Sequence, residues 1–243
     1  MGKLQGSYVA HVTDCELAVG SGEWAFAVTH AADIEAHWTR RSRENPGFFN
    51  GCIHLLEQNR LDGAHFCGRL LRTDFKSYLY WRETGFADRS VRDAFGSALI
   101  RSKEGHVLLG RQREGNVNAG LAYLPGGFID ERDVAVSGEV DITASILREV
   151  AEETGLGAFE LTRTPGYLVT IAGPLVSIAV GLRSALPSEA LIERIGSHIA
   201  GDAKSELVSG LVVRSVMDMQ GVAMPDYARL LVSSVFEGVG KSP

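Results

Sequence analysis

One stretch of the chain, LPGGFIDERDVAVSGEVDITASILREVAEETGL at residues 124–156, constrains the fold and the chemistry more than any other. In its second half, apolar residues recur near the spacing of one helix face, which predicts an amphipathic helix from Ile142 to Thr154. Gly155 follows at the position where a left-handed residue commonly ends a helix. The pattern predicts a helix with one apolar side and one charged side.

Three carboxylates lie on the charged side of this predicted helix. Glu149 comes three positions before Glu152 and four before Glu153, so the side chains project from neighbouring positions. Like charges placed in this way repel one another and do not stabilise a helix. Mg2+ or Mn2+ would relieve the repulsion, because hard cations prefer oxygen ligands and are usually held by a few carboxylates together with substrate phosphate. A solvated acidic face is the alternative for such a cluster taken alone.

The residues around the cluster favour the metal site. Gly126 and Gly127 follow a proline upstream, and two glycines allow the backbone to approach a ligand closely. Glu139 stands shortly before the predicted helix, and Arg148 stands beside the first of the three glutamates. Together these residues resemble the Nudix box, G-x5-E-x7-R-E-U-x-E-E-x-G-U, in which U is a bulky aliphatic residue.

The match to this motif is complete in one half and altered in the other. From Arg148 to Leu156 every position of the consensus is present. Upstream, eleven residues instead of five separate Gly127 from Glu139, and eight instead of seven separate Glu139 from Arg148. The chain thus resembles a Nudix box with an insertion at about residues 129–137, and Glu139 corresponds to the first consensus glutamate only through a changed spacing.

The resemblance implies hydrolysis of a phosphoanhydride in a nucleoside diphosphate linked to another group, with Mg2+ or Mn2+ as the cofactor. It implies that Arg148 orients the cluster by pairing with a neighbouring carboxylate, and that Glu149 is also a candidate base. The implied catalytic residues are Glu149, Arg148 and Glu152. The implied metal ligands are the backbone carbonyl of Gly126 and the carboxylates of Glu149, Glu152, Glu153 and Glu139.

Three basic residues and one acidic residue extend the predicted site. Arg111 and Arg113 follow a strand-like segment, and guanidinium groups match phosphate oxygens, although solvated loop arginines are the alternative. Lys76 completes the predicted substrate-binding set. Glu206 is a candidate for the late carboxylate that Nudix members often add, with an ordinary surface glutamate as the alternative.

Composition narrows the class of protein. The chain has 243 residues and a net charge of −6, which argues against a nucleic-acid-binding protein because such a protein would carry a basic face. The sequence contains no apolar run long enough for a membrane span, and its first twelve residues lack the apolar core of a signal peptide. The three cysteines are widely spaced and unpaired by motif, which predicts reduced thiols. These features predict a cytoplasmic protein.

Residues 1–92 differ in pattern from the rest and are predicted to form a smaller α+β domain. Two of its segments, NPGFFNG at 45–51 and TDFKSY at 73–78, fit a structural turn and a helix cap when each is taken alone. Ahead of a Nudix box they resemble the Nudix hydrolases that include the mammalian and plant uridine-diphosphoglucose pyrophosphatase. Its predicted elements are strands at Tyr8–Val19 and Trp24–Val28, a helix at Ala31–Arg43, a hairpin of Cys52–Asn59 and His65–Arg72, and a helix capped by Thr73 at Asp74–Trp81.

Residues 93–243 are predicted to form the Nudix hydrolase domain. Strand-like and helical segments on both sides of the acidic helix give the α/β fold that the resemblance implies, an α/β/α sandwich around a mixed sheet. The predicted strands are Phe95–Arg101, His106–Gly110, Gly166–Ile171, Leu175–Leu182 and Leu207–Val213, and the predicted helices are Ser188–Ile199 and Asp226–Phe236.

The resemblance over most of the chain favours a nucleotide sugar as the small-molecule partner, with UDP-glucose cleaved to UMP and glucose 1-phosphate. ADP-ribose or another nucleotide sugar is the enzymatic alternative. A catalytically silent nucleotide sensor is the alternative from another class, although the complete carboxylate set argues against it. No nucleic-acid or membrane partner is expected, and a homodimer is left open.

Overall fold

The computed structural model describes residues 6–238. Residues 1–5 and 239–243 lie outside the described part. The outer ends of the two predicted domains, and part of the segment predicted to lack a signal peptide, fall within these residues. Among residues 6–238, no helix combines the length and the hydropathy that crossing a bilayer requires.

Groups of one to three strands are separated along the chain by one or two helices. The helices are α1 (Ala25–Thr29), α2 (Ala31–Glu44), α3 (Phe75–Glu83), α4 (Ile142–Thr154), α5 (Ser188–Gly201) and α6 (Asp226–Glu237). The strands are β1 (Tyr8–Val12), β2 (Asp14–Val19), β3 (Cys52–Asp62), β4 (His65–Asp74), β5 (Asp93–Arg101), β6 (Val107–Gln112), β7 (Ala122–Tyr123), β8 (Leu161–Arg163), β9 (Tyr167–Ala172), β10 (Leu175–Ser184) and β11 (Leu207–Val213).

The larger sheet is mixed and contains eight strands in the order β1-β9-β10-β5-β6-β11, with β7 paired to β6 and β8 paired to β10. Strands β5 and β10 run parallel, and the other pairs are antiparallel. The two central strands are apolar and buried along almost their whole length, as expected for strands that are covered on both faces.

Helices cover both faces of this sheet. Ala98 and Leu99 are neighbours on β5 and therefore point to opposite faces. Ala98 belongs to the core under α4 and α5, together with Ile146 and Leu191. Leu99 belongs to the second core, under α6, together with Leu231. The predicted α/β/α sandwich with a mixed sheet is confirmed.

The smaller sheet contains three strands in the order β2-β4-β3 and shares the core of the larger one. Leu17, Leu56 and Phe66 are fully or almost fully buried in the cluster that also contains α4. Strand β1 belongs to the larger sheet, where it pairs with β9. The division of the chain at residues 92 and 93 stays a prediction, and the strand at the beginning of the chain lies in the sheet of the other predicted domain.

Two local predictions in the first half of the chain are wrong. Tyr8–Val19 is two strands, because Thr13 leaves the ladder to donate its amide to the carbonyl of Ala64 at 2.8 Å, and β2 then joins the smaller sheet. Trp24–Val28, predicted as a strand, leads into α1, because the Trp24 ring packs edge-on against that of Trp81 at 5.7 Å.

The predicted cap of α3 is displaced by one residue. Asp74 caps the helix in place of Thr73, and its carboxylate accepts from the amide of Ser77 at 3.0 Å. An ionised acceptor at a helix N-terminus also interacts favourably with the helix dipole, so an aspartate at this position satisfies the helix end at least as well as a threonine.

The stability of the sandwich depends on how α4 packs on β5. The Ile146 side chain is fully buried above Gly96, where an added Cβ would lie 2.6 Å from its Cγ1. Ile146→Ala would leave a cavity that this close packing cannot fill, so we expect the free energy of unfolding to fall by about 2–5 kcal/mol. Urea titration followed by circular dichroism measures the change. Val136→Ala, at a fully exposed position, should change it by less than about 0.5 kcal/mol.

Candidate metal and substrate site

Helix α4 begins and ends where the sequence predicts. The carboxylate of Asp141 caps it by accepting from the amide of Ala144 at 2.9 Å, and Gly155 ends it with a φ of 69°. Ile146 and Val150 are buried against the sheet. The opposite side of the helix therefore carries its charged residues toward the loop that follows β7.

Glu153 joins the helix to that loop. Its side chain is 5% exposed, and its two carboxylate oxygens accept from the Tyr123 hydroxyl and from the backbone amide of Gly126, each at 2.9 Å. Burial raises the pKa of the Glu153 carboxyl to about 8, and these two hydrogen bonds only partly offset the effect. Two strong donors fix the position of the carboxyl.

The two glycines of the loop are required by close contacts. Gly126 has a φ of 153°, and an added Cβ would lie 2.1 Å from the carbonyl oxygen of Gly96. An added Cβ on Gly127 would lie 2.8 Å from a carboxylate oxygen of Glu149. The absence of side chains at both positions lets the loop pass between β5 and the acidic face of the helix.

Glu149 and Glu152 differ in their surroundings. The Glu149 side chain is 17% exposed, and its Oε1 accepts from a guanidinium nitrogen of Arg148 at 3.1 Å. Burial is the largest cause of a raised pKa at Glu149, and the charge of Glu152 raises it further. The Glu152 side chain is 52% exposed. Glu149 is thus held in place, whereas Glu152 lies at the open side.

Arg148 is bound most tightly by a carboxylate from the inserted segment. Its Nη1 donates to Oδ1 of Asp133 at 2.6 Å, and the Asp133 side chain is 1% exposed. The hydrogen bond from Asp133 is the largest cause of a raised pKa at Arg148. Arg148 thus pairs with Glu149 and with Asp133, an aspartate that no sequence motif indicated.

A second guanidinium from the same segment faces the acidic cluster. Arg132 lies 3.7 Å from Glu152 and 3.8 Å from Glu149, measured between guanidinium nitrogens and carboxylate oxygens. It is held by Asp130, to whose carboxylate it donates at 2.7 Å. The inserted segment therefore brings two acids and one base to the helix.

Several predicted site residues lie elsewhere. Glu139 is exposed, and its carboxylate accepts from the Ser137 hydroxyl at 3.1 Å. Arg111 donates to the carbonyl of Gly120 at 2.7 Å. Arg113 donates to the carbonyl of Ser205 at 2.7 Å. Lys76 pairs with Glu35. The geometry brings none of these four side chains to the acidic cluster.

Glu206 lies where the predicted late carboxylate is needed. It lines the same cavity as Glu149, and partial burial together with the charge of Glu152 raises the pKa of its carboxyl. Its charge in turn contributes to the raised pKa of Glu153. These acids interact with one another through space across one site.

The donor set suits a hard divalent cation. The carboxyls of Glu149, Glu153 and Glu206 all have a raised pKa, partly through the charge of a neighbouring acid, and a cation among them would relieve that repulsion. Three ligand atoms within 4.8 Å of one another occur in the described chain at Glu16, His65 and Cys67, on the smaller sheet. At α4, the carboxylates of Glu149 and Glu152 instead lie near the guanidinium groups of Arg148 and Arg132.

A cavity of about 1120 Å³ opens beside the acidic cluster. Its lining includes Glu149, Glu206 and the Gly126-Gly127 loop. The segments at 45–51 and 73–78 also contribute to its walls. The aromatic lining residues are Phe48, Phe49, Phe75, Tyr78, Phe86, Phe95, Tyr123, Phe128 and Tyr227. The cavity thus offers a ligand both acidic and aromatic side chains.

A buried polar network lies in the wall of this cavity. Tyr78 donates its hydroxyl to Asp93 at 2.8 Å and accepts from Arg82 at 3.0 Å. Arg82 also donates to the side chain of Asn118 at 2.7 Å. Asp93 is 3% exposed, and burial raises the pKa of its carboxyl to about 6. The network places the Arg82 guanidinium in the wall of the cavity.

Sequence reasoning missed Asp133, Asp130 and Arg132, which the structure places at the acidic helix. The available signal was the length of the insertion itself, because a segment that enters the motif between its loop and its helix starts and ends beside the site. Arg82 and Asp93 carried no signal, since each gains its neighbours only when α3 packs against the larger sheet.

Residues 91–173 match the family model of the NUDIX domain. The resemblance to the Nudix family is confirmed for this part of the chain. No curated protein matches the sequence.

Solved structures similar to this chain include the following three proteins. A Nudix hydrolase from M. smegmatis, RenU, has 17% identity and a TM-score of 0.42, covering 63% of this chain and 88% of its own. The MutT protein from Methanosarcina mazei has 24% identity and a TM-score of 0.40, and the match covers 62% of this chain and 96% of that protein. A bifunctional NMN adenylyltransferase/ADP ribose pyrophosphatase from Francisella tularensis has 16% identity and a TM-score of 0.43, and the match covers 67% of this chain and 46% of that protein.

The buried Asp93 makes the stability of the fold dependent on pH. Its pKa is about 6 in the folded protein against an ordinary 3.8, so between these values the folded state binds a proton that the unfolded state has released. The free energy of unfolding should therefore fall as pH rises from 4 to above 6, by about 3 kcal/mol from this residue.

Asp93→Asn keeps an acceptor for Tyr78 but removes the titration. We expect the unfolding free energy of wild type minus that of Asp93→Asn to fall by about 3 kcal/mol as pH rises across this range, because only wild type titrates here. Urea titrations at several pH values measure this difference. Asp62→Asn, at an exposed carboxylate, is the matched control and should follow the wild type throughout. A constant difference between wild type and Asp93→Asn would contradict the prediction.

Proposed function

We propose that this protein is a metal-dependent Nudix pyrophosphohydrolase that cleaves a nucleoside diphosphate sugar. The observation that carries the proposal is one cavity lined both by Glu149 of the acidic helix and by nine aromatic residues. The NUDIX-domain match at residues 91–173 supports a pyrophosphohydrolase enzyme.

Mg2+ or Mn2+ is the proposed cofactor. The residues proposed to hold it are Glu149, Glu152, Glu153 and the backbone carbonyl of Gly126, with Glu206 as a further carboxylate. When bound, the cation neutralises phosphate oxygens and lowers the pKa of the attacking water. Oxygen donors and mutually repelling carboxyls support this choice over a soft metal.

The protein's own residues divide the remaining work. Glu149 lines the cavity and is fixed by Arg148 and by contact with Gly127, which suits it to accept the proton of a water that attacks phosphorus. Glu153 holds the glycine loop in position through the amide of Gly126. Glu152, at the open side, is free to turn toward a ligand.

UDP-glucose is the proposed substrate, with UMP and glucose 1-phosphate as products. Support comes from the segments at 45–51 and 73–78, on which the resemblance to the uridine-diphosphoglucose pyrophosphatase group depends. Phe48 and Phe49 of the first segment, and Phe75 and Tyr78 of the second, line the cavity that the acidic helix closes. Base-sized aromatic surfaces suit stacking of a nucleobase.

The same proposal includes a cytoplasmic location and a small-molecule partner without nucleic acid. The three free cysteines and the acidic net charge support both. A homodimer is compatible with the proposal.

Glu149→Gln tests the catalytic assignment. Losing the base should lower kcat by about 10²–10⁴-fold, because general-base catalysis typically contributes a factor of that size. Chromatography measures the rate at which UMP is released from UDP-glucose in the presence of Mg2+ or Mn2+. Glu193→Gln, at an exposed position on α5, is the matched control and should retain wild-type turnover.

A substrate panel of UDP-glucose, UDP-galactose and ADP-ribose separates the alternatives. Preferred cleavage of ADP-ribose would keep the reaction and overturn the substrate. Binding of nucleotide without cleavage of any member would overturn the reaction and identify the protein as a nucleotide sensor. Unchanged turnover in Glu149→Gln would contradict the role of Glu149.

A further inference from the structure

The altered spacing of the motif raises the question of which acid supports Arg148. By sequence, Glu139 corresponds to the first consensus glutamate. In the structure, the acid in closest contact with Arg148 is Asp133, at 2.6 Å. Arg148 uses its other terminal nitrogen to donate to Glu149 at 3.1 Å. One guanidinium therefore connects the inserted segment to a proposed metal ligand.

Asp133 is built into its position by the fold of the insertion. Residues 131–133 form a 3-10 turn, and both hydrogen bonds of a capping box between Asp130 and Asp133 are present. The Asp130 amide donates to a carboxylate oxygen of Asp133 at 3.0 Å, and the Asp141 amide donates to its backbone carbonyl at 3.1 Å. A side chain that is 1% exposed, with a hydrogen bond to each carboxylate oxygen, is not a flexible surface acid.

Glu139 is held on another part of the molecule. Its backbone pairs with Ala18 of β2, and the neighbouring Gly138 carbonyl accepts from the Val19 amide at 2.8 Å. Its side chain is exposed and accepts from Ser137. The residue that sequence spacing selects thus fastens the inserted segment to the smaller sheet.

We propose that Asp133 is the positioning residue for the metal site, in place of Glu139. The proposal rests on the proposed function, since it assumes that Glu149 and Glu152 bind a divalent cation. Asp133 draws Arg148 toward the insertion, which leaves one hydrogen bond to Glu149 and a distance of 3.9 Å to Glu152. Without the charge of Asp133, the guanidinium would pair fully with these two carboxylates and compete with the cation.

The neighbouring pair in the insertion follows the same principle. Asp130 holds Arg132 at 2.7 Å, while Arg132 stays 3.7 Å or more from Glu149 and Glu152. Asp130 thus keeps Arg132 beyond hydrogen-bonding distance of both glutamates, and Asp133 limits Arg148 to one hydrogen bond with Glu149. Because a guanidinium fork matches a carboxylate closely, the arginines would otherwise form two-point ion pairs with the glutamates.

The test compares Asp133→Asn with Glu139→Gln by Mn2+ binding to the full chain, measured by electron paramagnetic resonance without substrate. Removing an outer partner of a metal ligand typically weakens metal binding about 10–100-fold, so we expect a rise of that size in the Mn2+ dissociation constant of Asp133→Asn. Glu139→Gln should bind Mn2+ as the wild type does. The reverse pattern, or equal effects, would overturn the proposal.

A double-mutant cycle distinguishes positioning from general loss of structure. If Asp133 acts by restraining Arg148, then adding Asp133→Asn to Arg148→Gln should not weaken Mn2+ binding further, because the competing guanidinium is already absent. Independent losses that multiply would overturn the proposal. If Asp133→Asn does not fold, the double variant Asp133→Ser/Arg148→Gln replaces it. We expect this double variant to bind Mn2+ with the same affinity as Arg148→Gln alone.

The outcome for the proposed function is read separately. Turnover of UDP-glucose by the wild type is measured beside Mn2+ binding. Binding of Mn2+ without turnover would contradict the proposed reaction and leave the role of Asp133 intact. Turnover with equal Mn2+ affinity in wild type and Asp133→Asn would contradict only the role of Asp133.

Discussion

The candidate site depends on a buried carboxyl, that of Glu153, which accepts hydrogen bonds from the Gly126 amide and the Tyr123 hydroxyl. Burying an unpaired acid is costly, and here it accepts from two donors, one in β7 and one in the loop that follows. Because Tyr123 lies in β7 and Glu153 in α4, the same contact fixes the distance between the helix and the edge of the sheet. The glycine loop is then confined between Gly96 and Glu149, where no side chain would fit.

Charge repulsion within the site is balanced by basic residues from the protein itself. Glu149 and Glu152 face Arg148 and Arg132, and these two arginines are in turn restrained by Asp133 and Asp130. Arg148 donates one hydrogen bond to Glu149 at 3.1 Å, and the other contacts between these two arginines and the two glutamates stay at 3.7 Å or more. Two-point ion pairs would have to be broken before a cation could bind, so the arrangement lowers the cost of binding.

The regular parts of this structure were predictable from the sequence, and the site was predictable only where it lies on a regular element. Helix α4 has the predicted bounds because its apolar spacing, its capping residue and Gly155 all agree. Strand β11 likewise has the predicted bounds. The strand predicted at residues 24–28 failed because a tertiary contact of Trp24 outweighs a local preference for extended structure.

The sequence predicted where the inserted segment lies, but it did not predict which of its side chains contact α4. A spacing count identifies Glu139 by its distance along the chain, whereas the contact with Arg148 depends on how residues 130–133 turn back onto the helix. The capping box that produces this turn is a local feature, D-E-R-D, and such a motif is too short to predict which acid becomes buried.

The first half of the chain contributes to the site through packing. Its smaller sheet shares a core with α4, and its aromatic residues form a wall of the cavity that the acidic helix closes. Arg82 of α3 reaches Asn118 in the loop before β7, so the wall and the loop are joined by a hydrogen bond at 2.7 Å. A change in the first half that moves α3 would therefore alter the shape of the cavity without touching any of the glutamates. Both halves of the chain therefore shape the cavity, while the glutamates of α4 belong to the second half alone.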